Sequence, residues 1–251
     1  MSFPPWAVSP IETVLLTYPR SGNTWTRYCI EYLTGMPTNG ICKVIPDPHD
    51  IVKHTQPIGC IVDIGINTEA NAVAHKFHKL PDGLNNGTVG LIVVVRNYKE
   101  CIIRHKCYNI SNTMLNEQWM QDFSNAVNGD VSVVDYIGCL ACFHVWSGKK
   151  LMLYYEDILD DPRGFLTTLS DFLGVGLSRI PGFMAEYEKH RKQSVSVYEG
   201  LSTTTKSFTR GKAKKFHSKL LTKEERLELD RIVREKHPYL FQEYLKRYEE
   251  A

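Results

Sequence analysis

The stretch from Val14 to Trp25 reads VLLTYPRSGNTW, an apolar run followed by a polar turn. Val14–Tyr18 has the composition of a short buried strand. Thr24–Leu33 has the apolar spacing of a helix and stops near Gly35 and Pro37. A tight turn between a buried strand and a helix is a ready anion site, because backbone N–H groups and the positive end of the helix meet there.

The residues of this turn suit a phosphate-like ligand. Gly22 allows a ligand to approach the backbone, and Arg20 supplies a fixed positive charge. Ser21 and either Asn23 or Thr24 offer side-chain donors. The nucleotide-binding pattern GxxxxGK[ST] is absent, since no Lys-Ser or Lys-Thr pair follows a glycine here. Ser, Gly and Asn are also frequent in ordinary strand–helix turns, so a turn without a ligand stays open as an alternative.

Apolar strands and helix-like segments alternate along the chain, which predicts an α/β fold. The predicted strands, each a compact apolar run, are Val14–Tyr18, Ala72–Phe77, Leu91–Val95 and Leu151–Tyr155. The predicted helices are Thr24–Leu33, Lys99–Tyr108, Val133–Trp146, Pro162–Leu173 and a C-terminal helix that follows the capping box Thr222–Glu225. We expect a single domain over residues 1–251, with a central, mostly parallel sheet flanked by helices on both faces. The stretch 182–218 lacks this rhythm and is expected to be an irregular lid or binding segment.

Composition bounds the class of protein. With 251 residues, 30 Lys and Arg, and 28 Asp and Glu, the formal net charge is +2, which argues against a nucleic-acid-coating protein. Seven cysteines, an odd number, favour a reducing compartment. The pair Cys139 and Cys142 lies among apolar residues and is expected to provide core thiols, with no metal site. No signal peptide or membrane-spanning run is visible, so we expect a cytoplasmic protein without a membrane partner.

The segment TYPRSGNTW resembles the 5′-phosphosulfate loop, usually written YPKSGTTW, of sulfotransferases that use 3′-phosphoadenosine 5′-phosphosulfate (PAPS). The wording PRSGNTWTRY is similar to the branch that includes WSC-domain-containing sulfotransferases. The resemblance implies a P-loop-like turn that binds PAPS and its product PAP without a metal. The residues implied to bind the cofactor there are Arg20, Ser21, Gly22, Asn23, Thr24 and Trp25, with Trp25 stacking on the adenine.

A second family motif, RNPxDxxxS, has a counterpart after the strand Leu91–Val95, where the chain reads RNYKECIIR. The resemblance implies that Arg96 binds the 3′-phosphate. Arg104 stands where the family has its serine. It is interpreted as a bidentate phosphate ligand, with an exposed helix residue as the alternative. Arg96 itself could also be an ordinary strand-end residue.

Two further family motifs have counterparts later in the chain. YYED at 154–157 implies that Tyr155 contacts the adenine. The late RKG motif is permuted here to Arg210, Gly211 and Lys212, which are implied to clasp the 3′-phosphate from within the segment 182–218. Core aromatic rings and a solvated basic face are the respective alternatives.

Transfer of a sulfuryl group from PAPS to an acceptor hydroxyl or amine needs a base for the acceptor proton and positive charge for the leaving phosphate. The family base is a His in a KTH segment at a strand end, which corresponds to His78 in Lys76-Phe77-His78. His75 is the rival base. Arg20 replaces the family's Lys and would stabilise the leaving group by charge alone, since Arg stays protonated. Lys76 would assist it.

Other functions stay open at this point. A small-molecule kinase would need a carboxylate at a strand end, for which Asp63 is a candidate, and a non-catalytic module would bind PAP without turnover. Polar residues in the loops favour a small-molecule or glycan acceptor with a hydroxyl over a steroid.

Overall fold

The computed structural model describes residues 12–39, 72–80, 89–109, 131–196 and 221–250. Its strands are β1 (Thr13–Thr17), β2 (Thr38–Asn39), β3 (Ala74–Phe77), β4 (Gly90–Val95) and β5 (Lys150–Tyr154). They form one sheet in the order β2-β3-β1-β4-β5, and each neighbouring pair is parallel. Parallel strands require crossover connections, and described helices lie in the connections from β1 to β2 and from β4 to β5.

The described helices cover both faces of this sheet. Their bounds are α1 (Asn23–Thr34), α2 (Tyr98–Asn109), α3 (Val131–Val145), α4 (Tyr155–Asp160), α5 (Pro162–Leu173), α6 (Ile180–Ala185), α7 (Tyr187–Ser196) and α8 (Lys223–Lys236). A last segment continues as short helical turns over Pro238–Leu240, Phe241–Leu245 and Lys246–Tyr248. The predicted α/β class with helices on both faces of a parallel sheet is confirmed.

Strand alternation divides the core into two layers. Val14 and Leu16 of β1 face a cluster formed with α2, α3, α8 and the last segment. Leu15 faces the opposite cluster, which α1, α4, α5 and α6 complete. Every second residue of β4 follows the same rule, so both faces of the central strands are buried and the strands are continuously apolar.

Local sequence signals explain the helix starts. Thr222 and Glu225 form the predicted capping box: Glu225 N donates to Thr222 Oγ1 at 3.2 Å, and Thr222 N donates to Glu225 Oε2 at 2.7 Å. Asp161 caps α5 by accepting from Gly164 N at 2.9 Å, with Pro162 in the first turn.

Residues 182–196 differ from the expectation. The predicted irregular segment 182–218 is wrong in this part, because α6 and α7 occupy it. The segment has a charged sequence with little apolar periodicity, and it is helical because its few apolar and aromatic side chains pack on α1: Phe183 is buried, and Tyr28 Oη lies 2.8 Å from His190 Nδ1. The remainder of the stretch lies outside the described residues.

Buried and partly buried polar contacts hold α8 and the last segment against α2 and α4. Lys99 Nζ donates to Asp230 Oδ1 at 2.7 Å and to the carbonyl oxygen of Tyr248 at 2.6 Å. Tyr248 Oη donates to Glu156 Oε2 at 2.6 Å. The chain from α8 onward therefore supports the loop that follows β4.

The described helices include none that is both long enough and apolar enough to cross a lipid bilayer.

Candidate active site

Four parallel strands end at the same edge of the sheet, and the residues that follow them form the candidate site. β1, β3, β4 and β5 end at Thr17, Phe77, Val95 and Tyr154. The next residues are the Tyr18–Trp25 turn, His78, Arg96 and Tyr155. In open α/β sheets, ligands bind in the crevice outside the carboxyl ends of the strands. The fold therefore brings the sequence motifs to one edge.

The turn after β1 is a tight one with two residues in the left-handed region. Ser21 N donates to the carbonyl oxygen of Tyr18 at 3.2 Å. Arg20 has φ 73° and Gly22 has φ 103°. Such a conformation strains Arg20, which has a Cβ, but not Gly22. The Ser21 side chain is fully buried, and its Oγ lies 3.5 Å from Cys101 Sγ.

The N-terminus of α1 has the electrostatics of an anion site. Gly22 is its N-cap and supplies no side-chain hydrogen bond, and the first turn contains no acidic residue. The residues of that turn include Asn23, Thr24 and Trp25, and Thr24 Oγ1 lies 3.5 Å from Asn23 Oδ1. The first N–H groups of a helix have no partner within the helix, so this end carries partial positive charge.

Tyr155 and Arg96 pack against the turn. A Cβ placed on Gly22 would lie 2.8 Å from Tyr155 Cε2, so only glycine fits there. The Arg96 guanidinium carbon lies 4.4 Å from the centre of the Tyr155 ring, and Arg96 Nη1 donates to the carbonyl oxygen of Arg20 at 3.1 Å. Three separate sequence motifs thus meet at one point.

The loop after β4 is held in place by its own residues and by Glu156. Asn97 Oδ1 accepts from Lys99 N at 3.1 Å, an N-cap contact at the start of α2. Asn97 N donates to Glu156 Oε1 at 3.2 Å. Arg96 Nη2 lies 3.5 Å from the carboxylate of Glu100, which is buried. Glu100, which stands at the Asp position of the RNPxDxxxS pattern, thus pairs with the Arg of the same motif.

His78 and Lys76 lie next to this turn, just past β3. His78 Nδ1 lies 2.6 Å from the carbonyl oxygen of Thr17, and His78 Nε2 lies 2.7 Å from Lys76 Nζ. A carbonyl oxygen only accepts hydrogen bonds, so Nδ1 carries the proton. The lone pair of the neutral ring is therefore on Nε2, where it accepts from the Lys76 ammonium.

His75, the rival base, is in a different environment. It lies within β3, opposite Val14 of β1, and is 2% exposed. Burial, reinforced by the nearby Arg27 charge, lowers the pKa of His75 to about 4. The side chain is therefore neutral at physiological pH and enclosed by the fold.

The Trp25 side chain is more deeply buried than that of a residue lining an open pocket. Its ring stacks on Tyr28 at 5.7 Å between centroids, and it also contacts Phe183 and Tyr187. It is 8% exposed, and its Nε1 has no hydrogen-bond partner among the described residues. Tyr187 was not singled out in the sequence, because a lone tyrosine in a charged stretch carries no distinguishing signal.

Tyr136 of α3 contacts two of the motifs but is not predicted from the sequence. Its hydroxyl donates to the carbonyl oxygen of Arg96 at 2.6 Å, and its ring meets the Tyr18 ring edge-on at 5.3 Å. One turn further along α3, Cys139 Sγ lies 3.9 Å from the carbonyl oxygen of His78. A tyrosine in an apolar helix resembles any core residue in sequence, so only the fold identifies it.

Several predicted residues are outside this description. Arg210, Gly211 and Lys212 lie outside the described residues, and Arg104 is described only as part of the backbone of α2. In the described ranges, Cys139 is buried and Cys142 is partly buried, both as free thiols. Those ranges also contain no group of three or more His, Cys, Asp or Glu side chains placed to hold a metal ion.

Comparisons with known proteins agree on one family. The sulfotransferase domain family matches residues 10–242. Sulfotransferase 1C2 of Oryctolagus cuniculus is 23% identical over 175 residues, which are 66% of this chain and 59% of that protein. Sulfotransferase 1C2 of Homo sapiens is 23% identical over 177 residues, with the same two shares. The chain thus matches about three fifths of the length of these curated relatives.

A solved structure shares the fold. Mouse sulfotransferase SULT7A1, crystallised in complex with PAP, superposes with a TM-score of 0.62 at 18% sequence identity, covering 91% of this chain and 85% of that one.

Proposed function

The chain belongs to the sulfotransferase family, and we propose that it transfers a sulfuryl group from PAPS to a hydroxyl of a small-molecule or glycan acceptor, with His78 as the general base. The observation that carries this proposal is the geometry of His78. Its Nδ1 lies 2.6 Å from the Thr17 carbonyl oxygen, to which it donates its proton. This leaves Nε2 as the basic atom, beside the turn that follows β1.

The residues present fit a nucleotide with two phosphates. The uncapped N-terminus of α1 offers N–H groups to the 5′-phosphosulfate, together with Ser21, Asn23 and Thr24. Arg96 would hold the 3′-phosphate, joined by Arg104, Arg210, Gly211 and Lys212 of the later motifs. Trp25 and Tyr155 would flank the adenine. When bound, PAPS supplies an activated sulfuryl group on its phosphosulfate anhydride.

His78 would move one proton in the reaction. Nε2 accepts the proton of the acceptor hydroxyl while the acceptor oxygen forms its bond to sulfur and the bond between sulfur and the phosphate oxygen breaks. The electron pair of the broken bond stays on the phosphate, so the products are a sulfate ester, PAP and protonated His78. The Thr17 carbonyl oxygen stabilises the resulting imidazolium through Nδ1.

Arg20 and Lys76 would supply positive charge. Arg20 stays protonated, so it stabilises the leaving phosphate by charge and hydrogen bonds and cannot give it a proton. The Lys76 ammonium lies 2.7 Å from His78 Nε2, where an acceptor hydroxyl must also bind. We therefore expect Lys76 to turn from His78 towards the sulfuryl group when both substrates are present.

The test is single-turnover transfer of ³⁵S from labelled PAPS to a panel of phenols, alcohols and glycans, with enzyme in excess. His78→Ala should lower the rate roughly 10²–10⁴-fold, as expected for loss of a general base, while PAP affinity stays near that of the wild type. His75→Gln is the matched control and should retain the rate in the folded protein.

Three results would contradict the proposal. Full activity of His78→Ala would show that His78 is not the general base. Transfer of phosphate from ATP with Mg²⁺, in place of sulfate from PAPS, would indicate a kinase. PAP binding without any turnover across the acceptor panel would indicate a non-catalytic module.

A further inference from the structure

One face of α3 contacts the chain at the ends of three adjacent strands. Tyr136 Oη donates to the carbonyl oxygen of Arg96 past β4, and the Tyr136 ring lies against Tyr18 past β1. Cys139, three residues later, contacts the carbonyl oxygen of His78 past β3. Residues three apart share a helix face, so these contacts come from one surface of one helix.

The hydrogen bonds continue from α3 into the turn. Tyr136 Oη donates to Arg96 O at 2.6 Å, and Arg96 Nη1 donates to Arg20 O at 3.1 Å. The Arg96 backbone is thus fixed by α3, while its guanidinium fixes the strained residue of the turn, with φ 73° at Arg20. The hydrogen bond from the Tyr136 hydroxyl therefore influences the distance between the turn and Arg96.

The environment of Tyr136 suits a permanent donor. Its side chain is 3% exposed. Burial raises the pKa of the Tyr136 phenol well above its ordinary value, so the hydroxyl keeps its proton over the working pH range. The 2.6 Å contact to Arg96 is short for an O–H···O bond, which is consistent with a well-formed one.

We propose that Tyr136 is a positioning residue that sets the distance between the two phosphate subsites by holding Arg96 against the turn. This inference rests on the proposed function, since it takes Arg96 as the 3′-phosphate ligand and the turn as the 5′ subsite. In this proposal Tyr136 has no contact with the nucleotide. It acts through Arg96 and so governs how strongly the protein prefers a nucleotide with both phosphates over one with the 5′-phosphate alone.

The experiment measures the dissociation constants of PAP and of adenosine 5′-phosphate by calorimetry and takes their ratio. All variants are made in a Gly138→Ala background, because no described atom lies within 4 Å of a Cβ there and alanine stabilises a helix interior. This background keeps Tyr136→Phe folded when the Arg96 carbonyl oxygen loses its donor. Thermal melting confirms folding of each variant.

Tyr136→Phe should reduce the preference for PAP about tenfold, the effect of one hydrogen bond, mostly through weaker PAP binding. In an Arg96→Ala background the same substitution should change the preference no further. Trp146→Phe is the matched control. Trp146 is also buried and donates to a backbone carbonyl oxygen, that of Val89 at 3.1 Å, but at the opposite end of β4, so its loss should leave the preference unchanged.

An unchanged ratio in Tyr136→Phe would overturn the inference, as would an equal fall in Trp146→Phe or a further fall in the Arg96→Ala background. The Gly138→Ala protein alone distinguishes a failure of the proposed function from a failure of the role proposed for Tyr136. If it shows no preference for PAP over adenosine 5′-phosphate, the proposed function fails. If it shows the preference and Tyr136→Phe retains it, only the role of Tyr136 fails.

Discussion

Lys99 and Asp230 form an ion pair, 2.7 Å between Nζ and Oδ1, in which both side chains are almost wholly excluded from water. They lie 131 residues apart in the sequence and join the start of α2 to the middle of α8. Removing one partner of such a pair leaves the other charge buried without compensation. The pair therefore makes α2 depend on the C-terminal part of the chain.

Lys99→Met should lower the free energy of unfolding by about 3–5 kcal/mol, because Asp230 then keeps a buried charge that lacks its cation. Chemical denaturation at neutral pH measures the change. Arg231, which pairs with Glu228 and Glu235 on the exposed side of α8, provides the control. Arg231→Ala should leave the midpoint nearly unchanged, since exposed pairs contribute little. Equal losses in the two variants would contradict this prediction.

Gly22→Ala should disable the turn. The added Cβ would lie 2.8 Å from Tyr155 Cε2, and φ 103° disfavours any residue with a Cβ. We expect a loss of more than about 2 kcal/mol in the free energy of unfolding and of most PAP affinity. Gly174→Ala is the control, since Gly174 also has positive φ, 69°, but no described atom lies within 4 Å of its Cβ position. It should lose only about 1 kcal/mol and retain PAP binding. Undiminished PAP binding by Gly22→Ala would argue against the turn as the 5′ subsite.

Arg20 combines strain with charge, and substitutions separate the two. Arg20→Gly removes the strain of φ 73°, so the free energy of unfolding should stay within about 1 kcal/mol of the wild type. Its single-turnover rate of sulfate transfer should nevertheless fall about 10²-fold, because the leaving phosphate loses a cation. Arg20→Lys should recover most of the rate. If Arg20→Gly transfers sulfate at the wild-type rate, the leaving-group role is wrong.

Glu31 and His75 should give opposite dependences of stability on pH. Burial raises the pKa of Glu31 to about 7, against an opposing effect of Arg27 and of hydrogen bonds from Thr38. The stability due to protonated Glu31 is complete below its unfolded pKa of about 4.5 and is lost as pH rises through about 7. The pKa of His75 is lowered to about 4, so its contribution is complete above about 6.5 and is lost as pH falls through about 4.

These two slopes nearly cancel between about pH 4.5 and 6.5 in the wild type. Glu31→Gln removes the falling one, so the stability of the variant should rise with pH, relative to the wild type, by up to about 1.4 kcal/mol per pH unit. His75→Phe should show the reverse. Urea denaturation at half-unit pH steps measures both, and parallel curves for variant and wild type would contradict the assignment of the shifts.

The sequence predicts the parts of the fold that are locally encoded. The strands around Val14 and Leu91 have apolar interiors, as central parallel strands must, whereas the strand around Leu151 is an apolar but only partly buried edge strand. The caps at Asp161 and Thr222 lie where the sequence places them. The helix α7 could not be predicted in this way. It depends on contacts such as that between Tyr28 and His190, which are 162 residues apart.

The candidate site also combines residues that the sequence predicts with residues that it does not. The turn from Tyr18 to Trp25 is contiguous, so its residue types suit an anion-binding turn, although they leave an ordinary strand–helix turn open as the alternative. The supporting residues Tyr136 and Glu156 lie on other elements and make hydrogen bonds to backbone atoms of Arg96 and Asn97 in the loop after β4. A backbone N–H or carbonyl group is present whatever the side chain, so the sequence does not show which backbone atoms take part in these hydrogen bonds. Such support is visible only in the fold.

The contacts of Tyr248 fix the order in which the site can be completed. Its carbonyl oxygen accepts from Lys99, 149 residues earlier, and its hydroxyl donates to Glu156. Once β1, β3, β4 and β5 have been synthesised, every strand end of the site is present in the chain, yet α2 still lacks the partners of its buried lysine. Contacts between residues so far apart in the sequence form slowly, so we expect this contact to form late in folding. A nascent chain that ends before Tyr248 should therefore carry the sulfotransferase motifs without the finished candidate site.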